Sequence, residues 1–186
     1  MKSKDWLKRQ NKDIFVIKSK QKGYLSRSAF KLFEIEDKFK LLKKSSNAFE
    51  FGAAPGGWSQ ALIEINPNIK ITSIDLLDLK FIHPNILFYK QDFNNFNYEK
   101  INKKFDAVLS DIAPNTTGHS STDHLRISSM VLVIIDTLKL ILKDDGCFIT
   151  KIWKGSEESI IIKKLKNKLK KIKYFKPNSS RKISSE

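Results

Sequence analysis

Residues 50–60 read EFGAAPGGWSQ. Three of the seven glycines in the chain, Gly52, Gly56 and Gly57, fall in this one stretch. Glycine loses more backbone freedom on folding than any other residue. It is therefore concentrated where a chain must turn sharply or lie close against something. Upstream, AFEF (48–51) has the composition of a short buried strand, and downstream GWSQALIEI has helical spacing and stops before Pro67. A strand, a glycine loop and a helix form the opening unit of a doubly wound sheet. Two familiar phosphate loops do not fit. Trp58 stands where a P-loop needs its phosphate-binding lysine, and Gly52 is followed by two alanines rather than x-Gly-x-x-Gly. The loop can still offer backbone amides to a carboxylate at a helix N-terminus.

The rest of the chain repeats the alternation. KITSID (70–75), ILFYKQD (86–92), FDAVLSD (105–111) and CFITKIW (147–153) predict further strands, and KYFKP (173–177) predicts the start of a sixth. Helices are expected from Ser26, capped by Ser26 or Ser28, over 123–142 and over 158–172. The fold class is α/β, a Rossmann-like, mostly parallel doubly wound sheet. Residues 1–25 read as a basic arm and 26–186 as the catalytic domain.

Composition narrows the partners. The 186 residues carry 35 Lys and Arg against 20 Asp and Glu, a net charge of +15. That balance suits a polyanion, nucleic acid before an acidic membrane surface. The single cysteine, Cys147, excludes an internal disulfide and a cysteine-cluster metal site. His83, His119 and His124 share no ligand spacing, so no metal is expected. No apolar run reaches the ~18 residues a membrane span needs. The expectation is a cytoplasmic monomer without a membrane partner.

In a doubly wound sheet, ligands sit beyond the carboxyl ends of the strands. Asp75 ends the second strand and is placed to accept from ribose hydroxyls. Asp92 ends the third and can meet an adenine amino group. A ligand with a carboxylate at one end and an adenosine at the other is S-adenosylmethionine.

GAAPGGWSQ, DLL, SDIAPN and KPNSSRKISSE, in this order, resemble the FtsJ/RrmJ-type (RlmE) ribosomal RNA methyltransferases. The likeness runs from about Ser26 to the last residue. It implies S-adenosylmethionine-dependent 2′-O-methylation of a ribose, a uridine of large-subunit ribosomal RNA in assembled or nearly assembled subunits. By the same resemblance, cofactor contacts fall on Gly56, Trp58, Asp75, Asp92 and Asp111. The catalytic set falls on Lys31, Asp111, Lys151 and Glu186. The family continues past that glutamate into a final strand inserted antiparallel between strands five and six, whereas this sequence stops at Glu186; either the sequence is a truncated or eroded product or the sheet closes without that strand. Glu50 stands where the family usually has aspartate. Alternatives of the same chemistry are transfer RNA or an mRNA cap. An alternative of another class is an RNA- or ribosome-binding protein with impaired catalysis.

Methylating a ribose hydroxyl is an in-line displacement that needs alignment and removal of one proton. A lysine serves as base only when neutral, a form that burial and a neighbouring cation favour. Lys151 ends a strand that should be buried. Asp111 would orient its amine, and Lys31 would be the neighbouring cation or a nucleotide anchor.

Overall fold

A computed structural model describes residues 11–113 and 119–181. Glu186 and Trp6 lie outside the described residues, as do Pro114 and Asn115 of the SDIAPN stretch.

Helix α1 (Ile14–Gln21) and helix α2 (Ser28–Phe39) precede the sheet. Strand β1 (Asn47–Phe51) leads through the glycine loop into α3 (Gly57–Ile65) and then β2 (Lys70–Asp75). Strand β3 (Ile86–Lys90), two single 3-10 turns, β4 (Phe105–Ser110), the long α4 (Ser120–Ile141), β5 (Leu142–Thr150) and α5 (Glu158–Lys166) complete the order. The five strands lie in the order β3-β2-β1-β4-β5, every neighbouring pair parallel. The chain starts at the centre and winds outward both ways, which leaves a crevice above the ends of β1 and β4.

Period-two alternation assigns the faces. On β4, Ala107 and Leu109 join Leu32, Trp58 and Leu62 of α2 and α3, whereas Val108 joins Ile134 and Leu138 of α4. On β1, Phe49 turns to the α4 side, where its ring lies 4.7 Å from Phe51 and 5.3 Å from Phe105. Both sheet faces are thus covered, as a parallel sheet requires. A third cluster, with Ile127, Val131 and Ile135 of α4 against Ile161 and Leu165, anchors α5.

Several boundaries differ from the sequence expectation. No serine caps α2 through its side chain; Arg27 holds the cap position in helical conformation, and the Ser26 and Ser28 hydroxyls pair with each other at 2.6 Å. Strand β5 begins five residues early, because Leu142 pairs with Phe105 before the chain bulges and resumes at Cys147 opposite Ala107. It also stops at Thr150, so Lys151 to Trp153 follow it as loop, with Lys151 N still donating to the Ser110 carbonyl at 3.0 Å. Helix α5 ends at Lys166, although Leu169 and Ile172 still pack on the third cluster. Residues 173–177 form no strand. That backbone runs along α2 instead, where Glu34 accepts from the amides of Asn178 (2.5 Å) and Ser179 (2.9 Å). Inside the expected N-terminal arm, residues 14–21 are helical.

One buried carboxylate fixes how α2 enters β1. Glu36 is 7 % exposed and accepts from the amides of Leu42 (2.7 Å) and Lys43 (3.1 Å). Glu36→Ala strands both amides, and hydrogen bonds to charged groups contribute about 1.5–3 kcal/mol. A stability loss of about 2–3 kcal/mol is expected in urea unfolding; a loss below about 0.5 kcal/mol would show that water satisfies this turn.

Candidate active site

A cavity of about 630 Å³ opens at the carboxyl ends of β1, β2 and β4. Its floor is the glycine loop and its walls include Lys31, Asp75, Asp111 and Lys151. The loop backbone approaches its own neighbours closely. Gly52 has φ 71°, and a Cβ there would lie 2.7 Å from Ile112 Cγ1 and 3.1 Å from Ile112 Cα. Gly56, at φ 122°, caps α3, and a Cβ would meet Phe81 Cβ at 2.7 Å. Both positions therefore demand glycine, which lets the loop backbone lie close against Ile112 and Phe81.

Trp58 is 3 % exposed, and its indole N–H donates to the Ser28 carbonyl at 2.9 Å, so it ties α3 to α2 while edging the cavity. Asp75 shapes the crevice with both oxygens. Oδ2 accepts from Ala54 N at 2.9 Å and Oδ1 from Leu77 N at 2.8 Å. Asp92 caps the 3-10 turn Phe93–Asn95, accepting from Asn94 N at 2.9 Å, and its neighbours Gln91 and Phe93 line the wall rather than Asp92 itself. Gly56 likewise sits beside the lining, between Pro55 and Gly57.

Lys31, Asp111 and Lys151 come together. Lys151 Nζ donates to the Asp111 carbonyl and to Asp111 Oδ1, each at 2.9 Å. Their side chains are only 9 % and 17 % exposed. Burial by itself pushes the Asp111 carboxyl up. The charges of Lys151 and Lys31, with hydrogen bonds from Lys151 and Ser28, outweigh burial and hold it below its ordinary value. The two cations thus converge on one carboxylate although they come from α2 and from the end of β5.

Glu50 is the third carboxyl group of the crevice. It is 1 % exposed, one residue before Phe51-Gly52, and Oε2 accepts from the Ser59 hydroxyl at 2.5 Å. Burial pushes its pKa from 4.5 up to about 8; the charges of Asp111 and Asp75 add to this, and the Ser59 hydrogen bond opposes it. Because the folded value lies above the unfolded one, the protonated form carries the stabilisation. That contribution is complete below about pH 4.5 and is lost as pH rises through about 8. Wild type should lose up to about 1.4 kcal/mol per pH unit within this window. Glu50→Gln keeps the Ser59 bond and should flatten the profile, as read by urea unfolding at pH 5, 6, 7 and 8. An equal slope in both proteins would remove Glu50 as its source.

Two charged cavity residues escaped the sequence reading. Arg27 and Arg181 belong to the lining, and both contact Asp13 Oδ2, at 2.7 Å and 3.1 Å. A signal existed: the chain has 31 lysines and only four arginines. Two of those four stand here, where a planar fork differs most from an ammonium.

Among the described residues, no helix is long and apolar enough to cross a membrane. Residues 24–186 match the model of the FtsJ-like methyltransferase family. The chain is 40% identical over 195 aligned positions to ribosomal RNA large subunit methyltransferase E of Rickettsia felis, an alignment covering 99% of this chain and 86% of that protein. The Rickettsia akari protein of the same name is 42% identical with the same coverage. Among solved structures, a ribosomal RNA methyltransferase from Plasmodium falciparum superposes with a TM-score of 0.70 at 31% identity, over 77% of this chain and 86% of that one. Aeropyrum pernix fibrillarin, solved with natively bound S-adenosyl-L-methionine, shares the fold at TM-score 0.54 and 16% identity, over 75% of this chain and 66% of that one. A parallel sheet wound outward from a glycine loop, a Lys-Asp-Lys cluster at its crest and this near-complete sequence match converge on one assignment: the chain belongs to the FtsJ-like methyltransferase family.

Proposed function

We propose that the protein transfers a methyl group from S-adenosylmethionine to a ribose 2′-hydroxyl, that of a uridine, in large-subunit ribosomal RNA. The observation that carries this is the doubly held Lys151 amine, buried beside the crevice at the end of β5. The relatives named as large-subunit RNA methyltransferases support the substrate, and the net charge of +15 suits it.

The residues present fit the cofactor. Its sulfonium and ammonium are cationic, and Asp75 and Asp111 bring two carboxyl groups to the crevice from the ends of the strands that flank β1. Asp75, with the glycine loop and Trp58, would hold the nucleoside end. When bound, S-adenosylmethionine would supply a methyl already activated for displacement and keep the electron pair of the broken carbon–sulfur bond on its sulfur. Gly56 and Asp92 shape the wall from behind it.

The chain's own task is to place and deprotonate the hydroxyl. With two N–H bonds donated to Asp111, the remaining tetrahedral position of a neutral Lys151 amine carries its lone pair. That lone pair would take the hydroxyl proton. Asp111 orients the amine, and Lys31 supplies positive charge opposite it. Glu186 is assigned the remaining catalytic position by family resemblance.

The test is labelled cofactor incubated in parallel with large ribosomal subunits, free ribosomal RNA and transfer RNA, followed by nucleoside mapping. Label on a ribose in subunits is the expected result. Label on transfer RNA alone would change the substrate, and cofactor or RNA binding without transfer would remove the enzymatic reading.

A further inference from the structure

Asp13 divides its two oxygens between different tasks. Oδ1 caps helix α1, accepting from Phe15 N at 3.0 Å and Val16 N at 3.4 Å. Oδ2 receives Arg27 Nη1 at 2.7 Å and Arg181 Nε at 3.1 Å. The residue is thus the meeting point of α1, the start of α2 and the segment that returns along α2. That return is continuous. The Phe175 ring lies 5.6 Å from Phe39 at the far end of α2, Asn178 and Ser179 bond to Glu34 midway, and Arg181 reaches the near end.

The two arginines are not equivalent. Arg27 is the deeper one, its side chain 17 % exposed. It also donates through Nη2 to the Ser179 carbonyl and lies 5.8 Å over the Phe15 ring. Arg181 is 33 % exposed, lines the cavity and contacts Asp13 through Nε. The contact uses Nε alone, and the edge formed by the two Nη groups is not the one on Asp13. A guanidinium held by one edge presents the other, and a paired edge of N–H groups is the geometry that grips a phosphate. Two guanidiniums this close repel unless a carboxylate sits between them, and Asp13 supplies it.

We propose that Asp13 is a positioning residue for RNA: it holds Arg181 against Arg27 at the cavity wall so that Arg181 grips a phosphodiester beside the target ribose. The inference rests on the reading of this crevice as an RNA methyltransferase site. Phosphate contacts fix register without reading sequence, and register decides which ribose enters the cavity.

Charge and positioning predict opposite outcomes for Asp13→Asn. The amide still caps α1 through its oxygen but offers an N–H where the arginines need an acceptor. Removing a negative charge near a polyanion, by itself, tightens RNA binding. Loss of positioning weakens it. The measurement is methyl transfer to large subunits lacking the modification, with kcat and KM for the subunit separated, plus cofactor affinity and melting temperature. Asp13→Asn is expected to raise KM about tenfold, with the loss falling on KM rather than kcat and cofactor affinity held. Arg181→Gln is the second variant. It should raise KM similarly, reduce the slope of log binding constant against log salt by about one, and leave Asp13→Asn nothing further to remove. Unchanged or lowered KM in Asp13→Asn overturns the proposal, as does loss of cofactor affinity instead. If wild type itself transfers no methyl to RNA, the functional reading falls and this assignment with it. If wild type is active and the variants match it, only the assignment falls.

Discussion

Lys151→Ala should lower kcat for methyl transfer by about a thousandfold while cofactor affinity stays within about threefold, since positioned bases contribute about 10²–10⁴. That factor is about 4 kcal/mol of barrier. Lys151→Arg should fail almost as badly. A guanidinium keeps its proton and cannot take another, so preserved charge is no rescue. The measurement is single-turnover transfer to large subunits alongside equilibrium cofactor binding. Wild-type turnover in Lys151→Ala would remove the residue from the chemistry. Loss confined to cofactor affinity would move it from base to binding.

Asp111→Ala carries the other large effect, on stability and activity together. It leaves the Lys151 ammonium, 9 % exposed, without its carboxylate and with the positive charge of Lys31 nearby. Breaking a buried pair by removing one partner costs about 3–5 kcal/mol, and a loss of that size is expected in urea unfolding at pH 7. Removing both charges tests the cause. Lys151→Met combined with Asp111→Leu should recover most of the lost stability while remaining inactive. A double variant no more stable than Asp111→Ala would show that the single loss arose from repacking. The Asp111 pKa is held below 3.8, so the pair's contribution is present above that value and is lost only as acid protonates the carboxylate.

What the sequence made legible follows from period and punctuation. Four strands lie within two residues of where alternation placed them, because their residues face two covered layers and cannot shift by one position without exposing the core. Strand β5 and the end of α5 were misplaced because tertiary contacts set them. Leu142 pairs with Phe105 across a bulge, and the lysine-rich run after Lys166 leaves the helix while its apolar residues keep their packing. KYFKP reads as a strand by composition, but the two amides that follow it take a helix side chain, Glu34, as acceptor. In the site, Lys151 and Asp111 were legible because each directly follows a strand that the pattern marks as buried, β5 and β4. Asp75 and Asp92 were legible as strand-end carboxylates, but their hydrogen bonds to backbone amides are not encoded in spacing. Arg27, Arg181 and Asp13 were hidden because their meeting is a long-range event that no local pattern records.

The Asp13–Arg181 contact joins residues 168 apart in sequence. During synthesis on the ribosome, α1 emerges ahead of the sheet and can coil under its own cap, yet Arg181 follows every described strand. Vectorial folding therefore leaves α1 waiting until those strands have been extruded. Closing so large a loop comes after the central sheet has already shortened the distance between its ends. The Asp13–Arg181 contact thus closes after the sheet, and a chain not yet extended to Arg181 carries the floor of the site without this tie across its wall.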